Sequence, residues 1–437
     1  MPNLCARLLA LLFCCCSAFA SAQSYEQLYS EYRGSLYQIR LIEKSSNSKA
    51  GLGSGFQISP DGLIATNYHV VAEAVSDPDK YQLEYLSVDG AKGNLELLDI
   101  DVINDLALLR QDKPGAEHIQ LATDTPKKGE TIVSLGNPLD LGMTLIPGTY
   151  NGIASGSFYD RIHFAGSINP GMSGGPAINT RGHVVGINVA TAGNQVSFLV
   201  PVDKLAALQK HFRQEGNSLD LKEVTHRQLL DNQQRIIESI LQADWQRRAL
   251  GEAKVVGEIV PAIQCWGNTQ EDDDNPVKRI DKGCTGQDVV FLADDFNSGR
   301  VEYEFFWLEA EDLLPSRFYA EYEQQMSSFY PGNAAGEEDV TNFRCRQSFT
   351  AQERVGEKRD GEEPVSKPQQ NREPIVARTS YCVRRYKDFP DLYDIFFLSL
   401  SVDRKNRALV SHFTLSGFTR ESAAAFTEKF TSEIQWH

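Results

Sequence analysis

Asn169-Pro170-Gly171-Met172-Ser173-Gly174-Gly175-Pro176 is the stretch on which the reading turns. A serine flanked by glycines on a turn between strands can hold its hydroxyl exposed while successive backbone N–H groups converge on one point. That arrangement is what an oxyanion hole needs. Around it, from Gly51 to about Val202, short apolar runs alternate with turn dipeptides. Gly55 to Ser59 precedes Pro60-Asp61-Gly62, and Thr131 to Leu135 precedes Gly136-Asn137-Pro138. Leu106 to Arg110 and Val184 to Val189 are two further runs of this kind. Strands at this spacing predict an all-β barrel or sandwich. A short helix over Gln23 to Gly34 leads into a strand, Ser35 to Ile42.

Two other segments complete a constellation. Thr66-Asn67-Tyr68-His69-Val70-Val71 ends an apolar run on a histidine, and Asn104-Asp105-Leu106-Ala107-Leu108-Leu109 opens one on an aspartate. Alone, His69 reads as a packing residue and Asp105 as a turn residue. In the order His69, Asp105, Ser173 they read as base, orienting carboxylate and nucleophile.

On these residues the sequence resembles the trypsin-like serine proteases, and within them the bacterial HtrA branch. The matching segments are Gly53-Ser54-Gly55-Phe56, Ser59-Pro60-Asp61-Gly62, Thr66 to Val71, Asp105 to Leu109, Gly136-Asn137-Pro138, Ile168 to Pro176, Gly186-Ile187-Asn188 and Pro201-Val202-Asp203. They cover about a third of the chain, in the family's order. The resemblance implies two packed antiparallel β-barrels with an active site in the cleft between them. It implies Ser173 as nucleophile, His69 as general base and acid, Asp105 as its buried partner, and the N–H groups of Gly171 and Ser173 as the oxyanion hole. It also implies a substrate-pairing edge at Asn188, Val189, Ala190 and Thr191, where an extended peptide would be held by main-chain hydrogen bonds. No cofactor and no metal is required.

This chain departs from the family in three places. Met172 stands before Ser173 where digestive members of the fold have an aspartate that captures a new N-terminus, so activation through that salt bridge is unavailable. Phe164-Ala165-Gly166-Ser167 replaces the usual Thr-Asp-Ala. After Asp203 no PDZ-type peptide-binding module follows, so chaperone activity and cage assembly do not transfer.

The rest of the chain divides accordingly. Residues 1–22 read as a cleavable signal peptide: Arg7, the apolar run Leu8 to Phe19, and Ala20-Ser21-Ala22 as the cleavage signal. This predicts a periplasmic or secreted protein with no transmembrane segment. Residues 23–210 form the protease-like domain, 211–251 a connecting amphipathic helix, and 252–437 an α+β domain of unknown function. In the helix Leu229, Leu230, Ile236, Ile237, Ile240, Leu241 and Trp245 recur at helical spacing, with Arg247 and Arg248 at its C-terminal end. Strands are expected over Lys254 to Trp266, Val289 to Leu292, Val301 to Leu308, Asn342 to Phe349 and Thr379 to Tyr386. A hairpin turns at Asp403 to Asn406, and a last helix covers Glu421 to Trp436. Phe305, Phe306, Trp307, Phe318 and Tyr319 read as core. Glu353 to Glu373, poor in apolar residues, reads as a solvated loop, and Glu271 to Asp274 lacks the spacing of a calcium loop.

Composition agrees with this division. The 437 residues carry 43 Lys+Arg and 59 Asp+Glu, net −16, which disfavours a general nucleic-acid binder. Residues 23–210 have a net charge of −6 and residues 211–437 of −11. Of eight cysteines, Cys5, Cys14, Cys15 and Cys16 fall in the leader. The other four allow three pairings in an oxidising compartment, and local context favours Cys265 with Cys284 and Cys345 with Cys382. Oligomeric state is not legible.

The expected function is an exported serine endopeptidase acting on proteins or peptides. The competing reading is a latent or non-catalytic peptide-binding regulatory protein on a protease scaffold; a separate expectation makes the C-terminal half a recognition or inhibitory domain. Ser167 and Ile168, at the expected base of the primary pocket, bring no acidic residue, so no electrostatic partner awaits Arg or Lys. Profiling of cleaved peptides should therefore show small or medium apolar residues before the scissile bond, and a majority of basic residues there would overturn this expectation.

Overall fold

The computed structural model describes residues 24–436, apart from 114, 116, 192–194, 217–219, 273–274, 327–328, 330–331, 353–373 and 403. The expected leader with its four cysteines and the expected loop Glu353 to Glu373 thus lie outside the described residues, as do Asp403 and part of the acidic run Glu271 to Asp274.

The expected first helix forms over Tyr25–Tyr32. Ser24 accepts from the Gln27 N–H while the Gln27 side chain accepts from the Ser24 N–H, a reciprocal capping box. The chain then winds into two closed antiparallel barrels of six strands. In the first, β1 (Leu36–Glu43), β2 (Ser48–Gln57), β3 (Leu63–Thr66), β4 (Tyr81–Ser87), β5 (Lys92–Asp101) and β6 (Leu106–Gln111) close in the order β1-β2-β3-β6-β5-β4. In the second, β7 (Thr131–Gly136), β8 (Thr144–Ile153), β9 (Ile162–Ala165), β10 (Pro176–Asn179), β11 (Val184–Thr191) and β12 (Ser197–Pro201) close as β10-β11-β12-β9-β8-β7. Closure buries inward-facing positions such as Ile39, Ile64 and Leu109 in one barrel and Ile132, Phe164 and Leu199 in the other. Leu36 and Leu106 of the first barrel share a cluster with Leu135 and Ile187 of the second, so the barrels are packed on each other.

The connector differs from the sequence expectation. Two helices stand there, Val202–Glu215 and Leu221–Gln242, the second capped by the Asp220 carboxylate, which accepts from the N–H groups of Lys222 and Glu223. Arg247 and Arg248 do not end a helix. They lie on β13 (Arg247–Leu250), which pairs with β14 (Ala253–Val256). The run Lys254 to Trp266 is likewise two strands, β14 and β15 (Ile263–Asp272), separated at Gly257. Helical periodicity could not separate these states because Trp245 and Leu250 are buried in the same cluster as Ile236 and Ile240.

The C-terminal half is built on one seven-stranded sheet. Its order is β15, β16 (Asn275–Gly286), β19 (Arg300–Ala310), β23 (Arg407–Phe418), β22 (Tyr393–Ser401), β21 (Ile375–Arg385) and β20 (Arg344–Gln352). Helix Leu221–Gln242 and helix Arg420–Ser432 share a cluster with the sheet, where Phe426 and Phe430 meet Phe413, 5.0 and 5.1 Å between ring centres. Helix Pro315–Met326 packs through Phe318 and Tyr322 against Phe306, Leu308 and Val410. The final helix stops at Ser432, and Gln435–Trp436 form β24 on the edge of β14. Phe305, Phe306, Trp307 and Phe318 are buried as expected, whereas Tyr319 is 37% exposed. Cys265 pairs with Cys284 across β15 and β16, and Cys345 with Cys382 across β20 and β21, each directly opposite in register.

One excursion from this sheet reaches the barrels. The hairpin β17 (Val290–Ala293) and β18 (Phe296–Ser298) buries Val290, Leu292 and Phe296 in a single cluster with Tyr68, Val71 and Val75 of the first barrel. Leu292 is 3% exposed. Leu292→Ala is expected to cost about 2–4 kcal/mol by equilibrium urea unfolding, because the cavity opens inside a core shared by both halves.

Candidate active site

The turn that carries Ser173 is held from both barrels. Ser173 lies between the tight turn at Gly171, φ +93, and that at Gly174, φ +83. A Cβ at Gly171 would stand 2.5 Å from the Asn137 carbonyl oxygen, and one at Gly174 2.3 Å from that of Ser54, so neither position admits a larger residue without movement. Ser54, fully buried at the end of the first barrel, is the main tie. Its N–H donates to the Ser173 carbonyl at 2.7 Å, its hydroxyl donates to the Gly171 carbonyl at 2.7 Å, and it accepts from the Asn137 N–H at 2.9 Å. From the second barrel, Gly174 N–H donates to the Asn188 carbonyl at 3.0 Å, and the Asn188 amide donates to the carbonyls of Leu135 and Met172 at 2.9 and 3.2 Å. Met172 is fully buried in the second barrel's cluster with Ile132, Phe164 and Ile168.

These ties orient a peptide plane. The Pro170 carbonyl accepts from the Leu139 N–H at 2.9 Å. In a trans peptide the N–H points opposite to the carbonyl, so the Gly171 N–H is turned away from Leu139. Among the described residues neither the Gly171 nor the Ser173 N–H donates to a protein acceptor.

His69 follows β3, and Asp105 stands at the start of β6, which pairs with β3. The Asp105 carboxylate grips His69 at two points: one oxygen accepts from the His69 N–H at 2.9 Å, the other lies 2.7 Å from Nδ1. Asp105 takes the left-handed conformation, φ +62, and its carbonyl accepts from the buried Asn67 amide at 2.8 Å. Burial by itself would push His69 below its ordinary value. The charge and hydrogen bond of Asp105, with the nearby Glu73, outweigh it and raise the imidazole.

The remaining candidates fall in different environments. Ile168 is buried, and its N–H donates to Ser197 Oγ at 3.2 Å, while Ser167 is exposed. Asn188 turns inward to brace the turn that carries Ser173, and its own N–H donates to the Gly175 carbonyl at 2.9 Å. Val189 is half-buried beside it, and Ala190 and Thr191 continue β11 in register with Phe198 and Ser197 of β12. The side chains of Ala190 and Thr191 lie outside the described residues. Sequence reading missed Ser54, although Gly53-Ser54-Gly55 was already in view. A small polar residue between glycines in a strand is the signal that could have raised it.

The part of the chain that carries this site is similar to a known family. Residues 53–187 match the family described as "Trypsin-like peptidase domain". Homologues include "Serine protease HTRA1" of Xenopus laevis, 34% identical over 177 residues, or 38% of this chain and 37% of that one. A "Probable periplasmic serine endoprotease DegP-like" of Brucella suis is 37% identical over 145 residues, covering 32% of this chain and 27% of the other. The chain therefore spans about a third of the length of these curated relatives. The crystal structure of a serine endoprotease from Yersinia pestis is 27% identical with a TM-score of 0.39, covering 45% of this chain and 68% of that one.

Because His69 is raised, the protonated pair contributes stability that is fully present below the ordinary histidine value of about 6.5 and is lost as pH rises through the raised value. Asp105→Asn removes the charge and leaves burial in command. The His69 midpoint followed by NMR should lie above about 6.5 in the wild type and fall in the variant.

Proposed function

We propose that this protein is an exported serine endopeptidase. The observation that carries the reading is the two-point grip of Asp105 on His69, which fixes the imidazole beside a nucleophile turn braced from both barrels. In this reading Ser173 Oγ attacks the scissile carbonyl while His69 Nε2 takes its proton. Asp105 holds the Nδ1–H tautomer and stabilises the imidazolium. The N–H groups of Gly171 and Ser173 receive the developing oxyanion. His69 then gives its proton to the leaving amine as the acyl-enzyme forms, and a water activated by the same base releases the acyl group. Export to the periplasm or outside is supported by the leader-like residues 1–22 and by the periplasmic name of the Brucella homologue. Among the described residues no helix is long and apolar enough to cross a membrane.

One observation favours the second reading, a latent or purely peptide-binding protein. Among the described residues no hydrogen bond joins Ser173 Oγ to His69. Such bonds are often long without substrate and tighten in the complex, so the active reading is preferred.

Ser173→Ala should lower hydrolysis of an unfolded protein substrate by at least about a thousandfold and abolish labelling by a fluorophosphonate, with the fold retained by circular dichroism. In the wild type the acid limb of the kcat/KM profile should fall above about pH 6.5, and Glu73→Gln should move it to lower pH because a carboxylate that stabilises the imidazolium is gone. Peptide binding that persists in Ser173→Ala, without wild-type cleavage under any condition, would instead establish the second reading.

A further inference from the structure

The C-terminal half enters the active-site cleft. Along β17 Val290 and Leu292 are buried in the core shared with the first barrel, and the half-buried Phe291 packs against the same cluster at its cleft side. There its ring meets His69 edge to face, 6.0 Å between centres and 72° between planes. Beside it is a cavity of about 140 Å³ whose walls come from both halves of the chain, apolar at Val102, Ile103, Val189, Phe198 and Phe291 and charged at Asp105, Arg161 and Asp288. This is close to the size of an apolar cavity that accepts a benzene molecule. Asp288 Oδ2 is buried there and has no hydrogen-bond partner among the described residues.

We propose that the hairpin 290–298 builds a substrate subsite in cis, which takes a large apolar side chain of a bound peptide on the N-terminal side of the scissile bond. The inference rests on the reading of this cleft as peptide-binding. Val189 ties the cavity to the strand expected to pair with an extended peptide: from Ala190 onward β11 is paired, among the described strands, with β12 alone. A peptide N–H laid along that edge offers the donor that Asp288 Oδ2 lacks.

The hairpin is fastened as a wall rather than hung as a lid. Phe296 packs against Tyr386, 4.7 Å between ring centres, and the Tyr386 hydroxyl lies 2.9 Å from the Asn297 carbonyl and 2.8 Å from Asp394. Asn333 donates to the Asn297 carbonyl at 2.9 Å, and the buried Arg384–Asp394 pair, at 2.8 Å, closes the network. Moving the hairpin would break the hydrogen bonds that Tyr386 and Asn333 donate to the Asn297 carbonyl and leave buried polar groups unpaired.

The test measures equilibrium binding of fluorescein-labelled synthetic peptides to the full-length Ser173→Ala protein, varying in turn the second, third and fourth residues before the scissile bond. At one of these positions Leu or Phe should bind about tenfold or more tightly than Gly. Phe291→Ala in the same background should shrink that gain to about twofold, and Phe291→Trp, which fills the cavity, should turn the preference toward Val. A gain for large side chains that survives both variants overturns the proposal, and so does the absence of any such gain. Phe291→Ala strengthening every peptide equally also overturns it, since that is the behaviour of a plug. Wild-type protein that binds with the expected preference, yet neither cleaves peptides nor reacts with a fluorophosphonate, sinks the endopeptidase reading and leaves the subsite standing.

Discussion

The rest of the site depends on how Ser54 closes the seam between the two barrels. One residue, with its N–H, hydroxyl and carbonyl all engaged, fixes Ser173, Gly171, Asn137 and Thr66 relative to one another. Ser54, Gly171, Asn137 and Thr66 are buried, so leaving any of their bonded groups unpaired would carry the full cost of desolvating a polar group. That cost makes the turn stiff. Its stiffness holds the Gly171 and Ser173 N–H groups in place before a ligand arrives, which is what the proposed oxyanion hole requires.

The same principle extends to the other side of the cleft. His69 is held by Asp105 from the first barrel, yet the core behind it is completed from far along the chain by Val290, Leu292, Phe296, Phe389 and Leu392. The C-terminal half is therefore not a passenger on a finished barrel pair. Its sheet carries two cystine links between neighbouring strands and a buried Arg384–Asp394 pair, and through that framework it presents Phe291 to the imidazole.

Much of this was legible in the chain, and the reasons are local. Gly171 and Gly174 mark tight turns because only glycine adopts their backbone without strain, and the strands of both barrels alternate with such turns. The helix at Tyr25–Tyr32 announces itself through Ser24 and Gln27, and the two disulfides join cysteines whose sequence neighbourhoods already paired them. Illegible were features set by partners elsewhere. Arg247 and Arg248 continue an apolar helical pattern on paper, but β14 offers a strand to pair with and tertiary contact overrides periodicity. Trp436 fits the last helix by spacing and instead closes onto Ala253. Asn188 looked like part of a binding edge, while its amide is spent bracing the carbonyls of Leu135 and Met172.

By itself the sequence determined which chemical groups exist and in what order: a histidine, an aspartate, and a serine within a glycine-rich turn, spaced along two sets of barrel strands. It also determined where the backbone must turn, since those constraints act within a few residues. Only the tertiary structure decided which groups meet. The approach of Asp105 to His69, of Ser54 to the turn that carries Ser173, and of Phe291 to the cleft each joins segments far apart in the chain. Such contacts carry no local signature, because they form only when burial of a shared core repays the entropy of bringing distant segments together.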